Sequence, residues 1–198
     1  MMNNLETVAD AKISTTQSKY GGSSMFFDGT GDYLFIPTAQ AAKLSKFLTG
    51  NFTVECWAYL TTTGTSQHII SAVNNWAAGA NYNIRVVTGN FLSVQIGNSI
   101  TLINGTVSFP LNQWNHIALV RTSTTNTVFY LNGVSVASTA TNWTADEDCP
   151  VTIGCFNANG GSIGEYWTGY IDDVRITNGV GRYTTNFNTS LPTEFENY

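Results

Sequence analysis

Short apolar runs alternate with turn residues along most of the chain. They are Met25–Phe27, Tyr33–Ile36, Phe52–Leu60, His68–Val73, Tyr82–Thr88, Phe91–Ile96, Thr101–Ile103, Trp114–Arg121, Thr127–Leu131, Val134–Ser138, Val151–Ile153 and Tyr166–Thr177. Strand-length runs at this spacing, with Gly and Asn between them, predict an all-β antiparallel sandwich of two sheets. Phe52–Leu60 alternates strictly, with Phe52, Val54, Cys56, Ala58 and Leu60 on one face and Glu55, Trp57 and Tyr59 on the other. Both faces carry apolar bulk, which predicts a central strand covered on both sides. Asn132-Gly133 between two runs predicts a type I′ hairpin, whose two central residues need positive φ. At Ile171-Asp172-Asp173-Val174 the period of two breaks, and a β-bulge at the Asp pair restores it. One helix is predicted over Thr38–Leu48. Residues 1–19 read as a polar leader with an edge strand near Ala11–Ser14, and residues 20–198 as the sandwich domain.

Composition narrows the function. Charged residues make up 11% of the 198, less than half of the roughly 25% usual in soluble domains. A net charge of −5 with eight Lys and Arg excludes a clustered basic surface for nucleic acid. Hydrophobic residues at 42% exclude a charged disordered chain, and no apolar run is long enough for a membrane-spanning helix. Residues 1–10 hold no apolar core of a signal peptide. Three cysteines, Cys56, Cys149 and Cys155, leave at least one unpaired, with a Cys149–Cys155 bridge open. Sequons at Asn51, Asn104, Asn142 and Asn188 are no more than the Asn, Ser and Thr content produces by chance, so they do not speak for secretion.

Four segments in order carry a family resemblance: Phe26–Leu34, Phe52–Trp57, Trp114–Arg121 and Gly169–Ile176, with the Asn132-Gly133 hairpin among them. Over about residues 20–190 the chain resembles the concanavalin A-like, laminin-G/pentraxin-like jelly-roll lectin domains. Gly21-Gly22-Ser23-Ser24 and Arg182-Tyr183-Thr184 are most similar to the variety common in bacteriophage tail and capsid-surface proteins and bacterial surface proteins. The resemblance implies two curved antiparallel sheets, ligand loops at a rim or a concave face, carbohydrate binding, and often calcium. It places the protein on a virion surface, or outside a cell or at its surface. Because the same jelly roll also hosts glucanases and purely structural modules, function has to be read from the site.

Catalysis lacks its residues. The strand pattern Glu-x-Asp-x-Glu of the family's glucanases is absent, Glu147 and Asp148 are adjacent, and Glu55 is a lone carboxylate. His116 has no accompanying nucleophile motif, so the chain reads as no enzyme. A structural calcium would draw on Asp28, Asp32, Asp172 and Asp173, since a hard cation wants several carboxylates and carbonyls. The alternative for Asp28 and Asp32 is capping of the Gly29-Thr30-Gly31 turn. Asp146-Glu147-Asp148 reads as a solvated loop. The Glu-Gln-Asp calcium loop of pentraxins corresponds here to Cys155–Gly161, which holds no carboxylate.

Two loops combine aromatic rings with amide groups, the make-up of an adaptable binding surface. One supplies Asn74, Asn75, Trp76 and Tyr82, and the other Asn157, Asn159, Glu165 and Tyr166, with Trp143 between them in sequence. The competing reading buries Trp76, Trp143 and Trp167, as it does Trp57 and Trp114, in the core. Two functions stay open. One is a non-catalytic carbohydrate-binding or adhesion module that gains strength from multiple copies, as in a homo-oligomer. The other is a phage capsid or tail decoration protein that binds other virion proteins. Neither involves nucleic acid or membrane insertion.

Overall fold

The strand-length runs do form strands. A computed structural model describes residues 5–75, 79–97, 100–145, 147–157 and 162–194. In chain order the elements are Glu6–Val8 (β1), Lys12–Ser14 (β2), Ser24–Asp28 (β3), Tyr33–Ile36 (β4), the helix Thr38–Ser45 (α1), Phe52–Leu60 (β5), Gln67–Asn75 (β6), Gly79–Val87 (β7) and Phe91–Ile96 (β8). They continue with Ile100–Ser108 (β9), Trp114–Ser123 (β10), Asn126–Leu131 (β11), Val134–Thr139 (β12), Val151–Ile153 (β13), Phe156–Asn157 (β14), Ile163–Gly164 (β15) and Thr168–Asn178 (β16). One seven-stranded sheet runs β1-β4-β13-β6-β7-β8-β9, and a second runs β12-β11-β10-β5-β16-β3-β2. The pair β14-β15 forms a small third sheet. The two large sheets pack their apolar faces together in the two-sheet jelly-roll sandwich that the sequence predicts.

β5 lies at the middle of the second sheet, between β10 and β16. Its Phe52, Val54, Cys56, Ala58 and Leu60 enter the core between the sheets. Glu55 and Trp57 face the other way and are still buried. Their cover comes from the chain ends. Lys19 and Tyr20 lie over Trp57, the Lys19 amine 4.0 Å from the indole centroid. Residues 180–192 form a strap over the rest of that outer face. Thr53 Oγ1 donates to the Val180 carbonyl and accepts from the Arg182 N–H, and the Phe187 N–H donates to the Gly133 carbonyl. The Tyr183 and Phe187 rings stack at 3.7 Å and pack with Tyr130 and His116.

The local predictions meet their physical tests. Asn132 (φ 50) and Gly133 (φ 74) take the positive φ values of the type I′ turn. At the Asp pair, Asp172 lies opposite Trp57 and Arg175 opposite Glu55, so the bulge contains one extra residue, with Asp173 at φ 45. The helix is shorter than Thr38–Leu48. Its last predicted turn is given up because Leu48 turns to φ 51 and exchanges two backbone hydrogen bonds with Ala145. The polar start contributes an edge strand to each sheet, β1 beside β4 and β2 beside β3. All three cysteines are buried and free, which corrects the open bridge between Cys149 and Cys155.

Candidate functional site

At one end of the sandwich a groove of about 550 Å³ opens between Gly29, Gly64, Thr65, Ser66, Thr88, Glu165, Tyr166 and Thr168. Four separate chain segments build it. Trp167 holds it from below: its ring is fully buried beside Phe109, and its backbone N–H donates to the Gly154 carbonyl. With Trp167 pinned inward, Tyr166 is half-buried and Glu165 exposed. The Tyr166 ring lies 6.5 Å from Tyr33 at an interplanar angle of 29°. Gln67 ties the wall together, its Oε1 accepting the Thr168 N–H (2.7 Å) and its Nε2 donating to the Thr62 carbonyl. Gly29 sits so close to the Thr168 hydroxyl that a Cβ there would overlap it.

Glu165 is the one carboxylate among the groove's lining residues. It adopts φ 52, a conformation non-glycine residues seldom take. Its Oε2 lies 3.0 Å from His68 Nδ1 and 3.4 Å from Arg85 Nη1. The close contact with His68 and the nearby Arg85 charge hold its carboxyl below the usual range despite its partial burial. Burial pushes the His68 pKa down. The groove therefore offers an ionised acceptor, an aromatic ring and four hydroxyls. Among the described residues that line it, Glu165 has no second carboxylate of the kind glycoside hydrolysis uses.

The predicted site residues divide. Glu165 and Tyr166 line the groove. Tyr82 does not: it is fully buried, stacked 5.9 Å from Phe47, and its hydroxyl donates to the Leu44 carbonyl. Trp143 is also core, edge-on to Phe52 and donating to Thr127 Oγ1. Burial of Tyr82 corrects the expectation that its ring faces a ligand, and Trp143 is core as the competing reading has it. Asn157 is buried in β14, and Asn74 donates to Glu147 Oε2 at 2.8 Å, away from the groove lining. Trp76, Asn159 and the side chain of Asn75 lie outside the described residues. Trp167 is core as the competing reading has it. Trp57 is buried and Trp114 half-buried, but both lie on the outer face of the second sheet rather than between the sheets. Gly29, Gly64, Thr65, Ser66, Thr88 and Thr168 went unread, because scattered hydroxyls and glycines carry no sequence pattern.

The four Asp carboxylates do not form one donor set for a hard cation. Asp28 Oδ1 accepts the Thr30 N–H, capping the turn, and the fully buried Asp32 accepts the Asp10 and Asp28 N–H groups. Asp172 accepts from the Lys19 and Tyr20 N–H groups and from that of Asp173. Asp28 stands opposite Thr168, four positions along β16 from Asp172, so the pairs sit apart on the sheet. Among the described residues no three His, Cys, Asp or Glu side chains converge as metal ligands.

Glu55 has no second carboxylate beside it, but it does have partners from distant parts of the chain. Fully buried, it accepts from Tyr183 Oη (2.7 Å) and from Arg175 Nε and Nη2 (both 2.8 Å), with His116 Nε2 at 3.3 Å. Burial alone would raise its pKa, but the His116 contact, the Tyr183 hydrogen bond and the Arg175 charge outweigh it and lower the pKa. The strap covers this cluster.

A lectin-like jelly-roll sandwich with a rim groove is the class that this fold and site define. Residues 28–181 match the family described as the concanavalin A-like lectin/glucanases superfamily, and the chain belongs to it. No curated protein matches the chain. Among solved structures it is similar to the botulinum neurotoxin serotype D/C binding domain (TM-score 0.63, 13% identity, 94% of this chain and 46% of that one). The chain thus spans a little under half of that toxin domain. It is also similar to domain 4 of a GH43 extracellular arabinanase from Geobacillus stearothermophilus, solved with arabinotriose (TM-score 0.61, 19% identity, 85% and 76% covered). A third likeness is the heptameric SAP-like pentraxin of Limulus polyphemus (TM-score 0.54, 17% identity, 76% and 73% covered). At these identities the likenesses concern the fold.

Proposed function

We propose that this domain is a non-catalytic carbohydrate-binding module acting on a virion surface or outside a cell. The observation that carries the reading is the rim groove itself. It places the Tyr166 ring beside one ionised carboxylate and the hydroxyls of Thr65, Ser66, Thr88 and Thr168. A sugar presents apolar C–H faces edged by hydroxyl groups, and this lining matches both. The arabinanase domain solved with arabinotriose supports the reading, as does the resemblance to phage and bacterial surface domains. The test is a glycan array probed with the purified, multimerised domain, with and without chelator. Binding to a defined glycan class is expected, and no binding to any glycan or surface polysaccharide would sink the proposal.

One observation favours the decoration-protein reading. An apolar slot of about 290 Å³ lies between the sheets, with the exposed side chains Leu5, Ile13 and Val174 among its lining. Exposed apolar patches of this kind mark protein contacts. Purified particles that retain the protein through protein contacts alone, with no glycan dependence, would decide for it.

A further inference from the structure

Four aromatic rings form a continuous row across the outer face of the second sheet. Trp114 lies opposite Tyr59, Tyr59 opposite Tyr170, and Tyr170 opposite Phe26, on four successive strands. Residues directly opposite share a face, so all four rings lie on one side. Neighbouring centroids are 5.5, 5.8 and 5.2 Å apart. Lys12 continues the row, its amine 5.7 Å from the Phe26 ring. Phe26, Tyr59 and Trp114 are half-buried, and Tyr170 is 9% exposed. The strap covers the other side of this face, at Glu55, Tyr130 and His116, and leaves the row open to partial exposure.

A polar row runs beside the rings. Two positions on towards the groove stand Asp28 on β3, Thr168 on β16 and Thr61 just past the end of β5, with Asp28 opposite Thr168 and Thr61 donating to the Thr168 carbonyl. Thr168 also lines the groove, as does Gly29, the neighbour of Asp28. Rings flanked by hydroxyls and a carboxylate therefore continue from the rim groove across the sheet.

We propose that a linear polysaccharide, not only a glycan end, occupies this path, its middle units lying on the aromatic row. The idea rests on the carbohydrate reading above and extends its site. Each ring spacing is comparable to one pyranose unit, and the parallel polar row supplies partners for hydroxyl edges. An added peptide strand fits worse. β3, β16, β5 and β10 each have a hydrogen-bonded strand on both sides, so the row offers no free backbone for strand addition.

The test is affinity electrophoresis of the whole chain in native gels holding arabinan, xylan, mixed-linkage β-glucan or galactomannan. Calorimetry with the matching trisaccharide accompanies it. Wild type should be retarded by one polymer and bind it at least tenfold more tightly than its trisaccharide. Tyr59→Thr and Trp114→Thr should lose at least tenfold for the polymer and stay within twofold for the trisaccharide, whereas Tyr166→Ala should lose both. The polymer should shift tryptophan emission, and Trp114→Phe, which keeps a ring, should retain binding but lose that shift. This last readout decides if the Thr variants do not fold. Full polymer affinity in the Thr variants, or an unchanged shift in Trp114→Phe, overturns the aromatic path and leaves the rim groove standing. No retardation of wild type by any polymer overturns both readings.

Discussion

Glu55→Gln tests whether the strap is held by charge. The substitution keeps the side-chain volume, so it opens no cavity, and removes the negative charge that Arg175 and Tyr183 share. Breaking a fully buried ion pair costs about 3–5 kcal/mol. Arg175 is 24% exposed and can turn partly to water, which puts the expected loss nearer about 2–3 kcal/mol. For a chain of this length, each kcal/mol corresponds to about 2–4 °C of Tm, so the melt should fall by about 4–12 °C. Circular dichroism melts at pH 7 measure it directly. The pH dependence has a definite sign. The folded-state pKa of Glu55 lies below its ordinary value of 4.5, so its contribution is complete above that value. It is lost as pH falls through the lower folded value, and the gap between wild type and Glu55→Gln should close there. A Tm change under about 2 °C at pH 7, or a gap that widens on acidification, would refute the assignment.

Further outcomes follow from the turn and the thiols. Gly133→Ala should destabilise strongly, by about 2 kcal/mol or more in equilibrium urea unfolding, because φ is 74 and the new Cβ would stand 2.5 Å from the Asn188 backbone nitrogen. Gly64→Ala, at φ 112 with open space around it, should cost less. Burial pushes the Cys149 and Cys155 thiols up to about 12, and Cys56 higher still. Ellman's reagent at pH 8 should find almost no reactive thiol in the native chain and three after unfolding in urea; fewer than three would reveal a bridge. Glu165→Gln should weaken glycan binding at neutral pH in titration calorimetry while the melt changes little, since this carboxylate is partly exposed.

Periodicity made the strands legible because each sheet has one face in a common core, which imposes a period of two. The Asn132-Gly133 turn was legible because it answers to a local backbone need, and the Asp172-Asp173 bulge because it interrupts that period, although Val174 beyond it stays exposed. Long-range partners were not. Glu55 reads as isolated because Arg175 and Tyr183 are 120 and 128 residues away in the chain. Tyr82 and Trp143 were ambiguous because an aromatic ring near Asn and Gly looks the same in sequence whether it fills the core or faces a ligand. The groove's hydroxyls come from three segments, and only folding brings them together.

The most direct test of the central claim is binding of wild type and Tyr166→Ala to the same glycan array. Wild type should bind one glycan class, and Tyr166→Ala should lose that binding at an unchanged Tm. Equal binding by both proteins would place the site elsewhere, and no binding by wild type would contradict the carbohydrate reading itself.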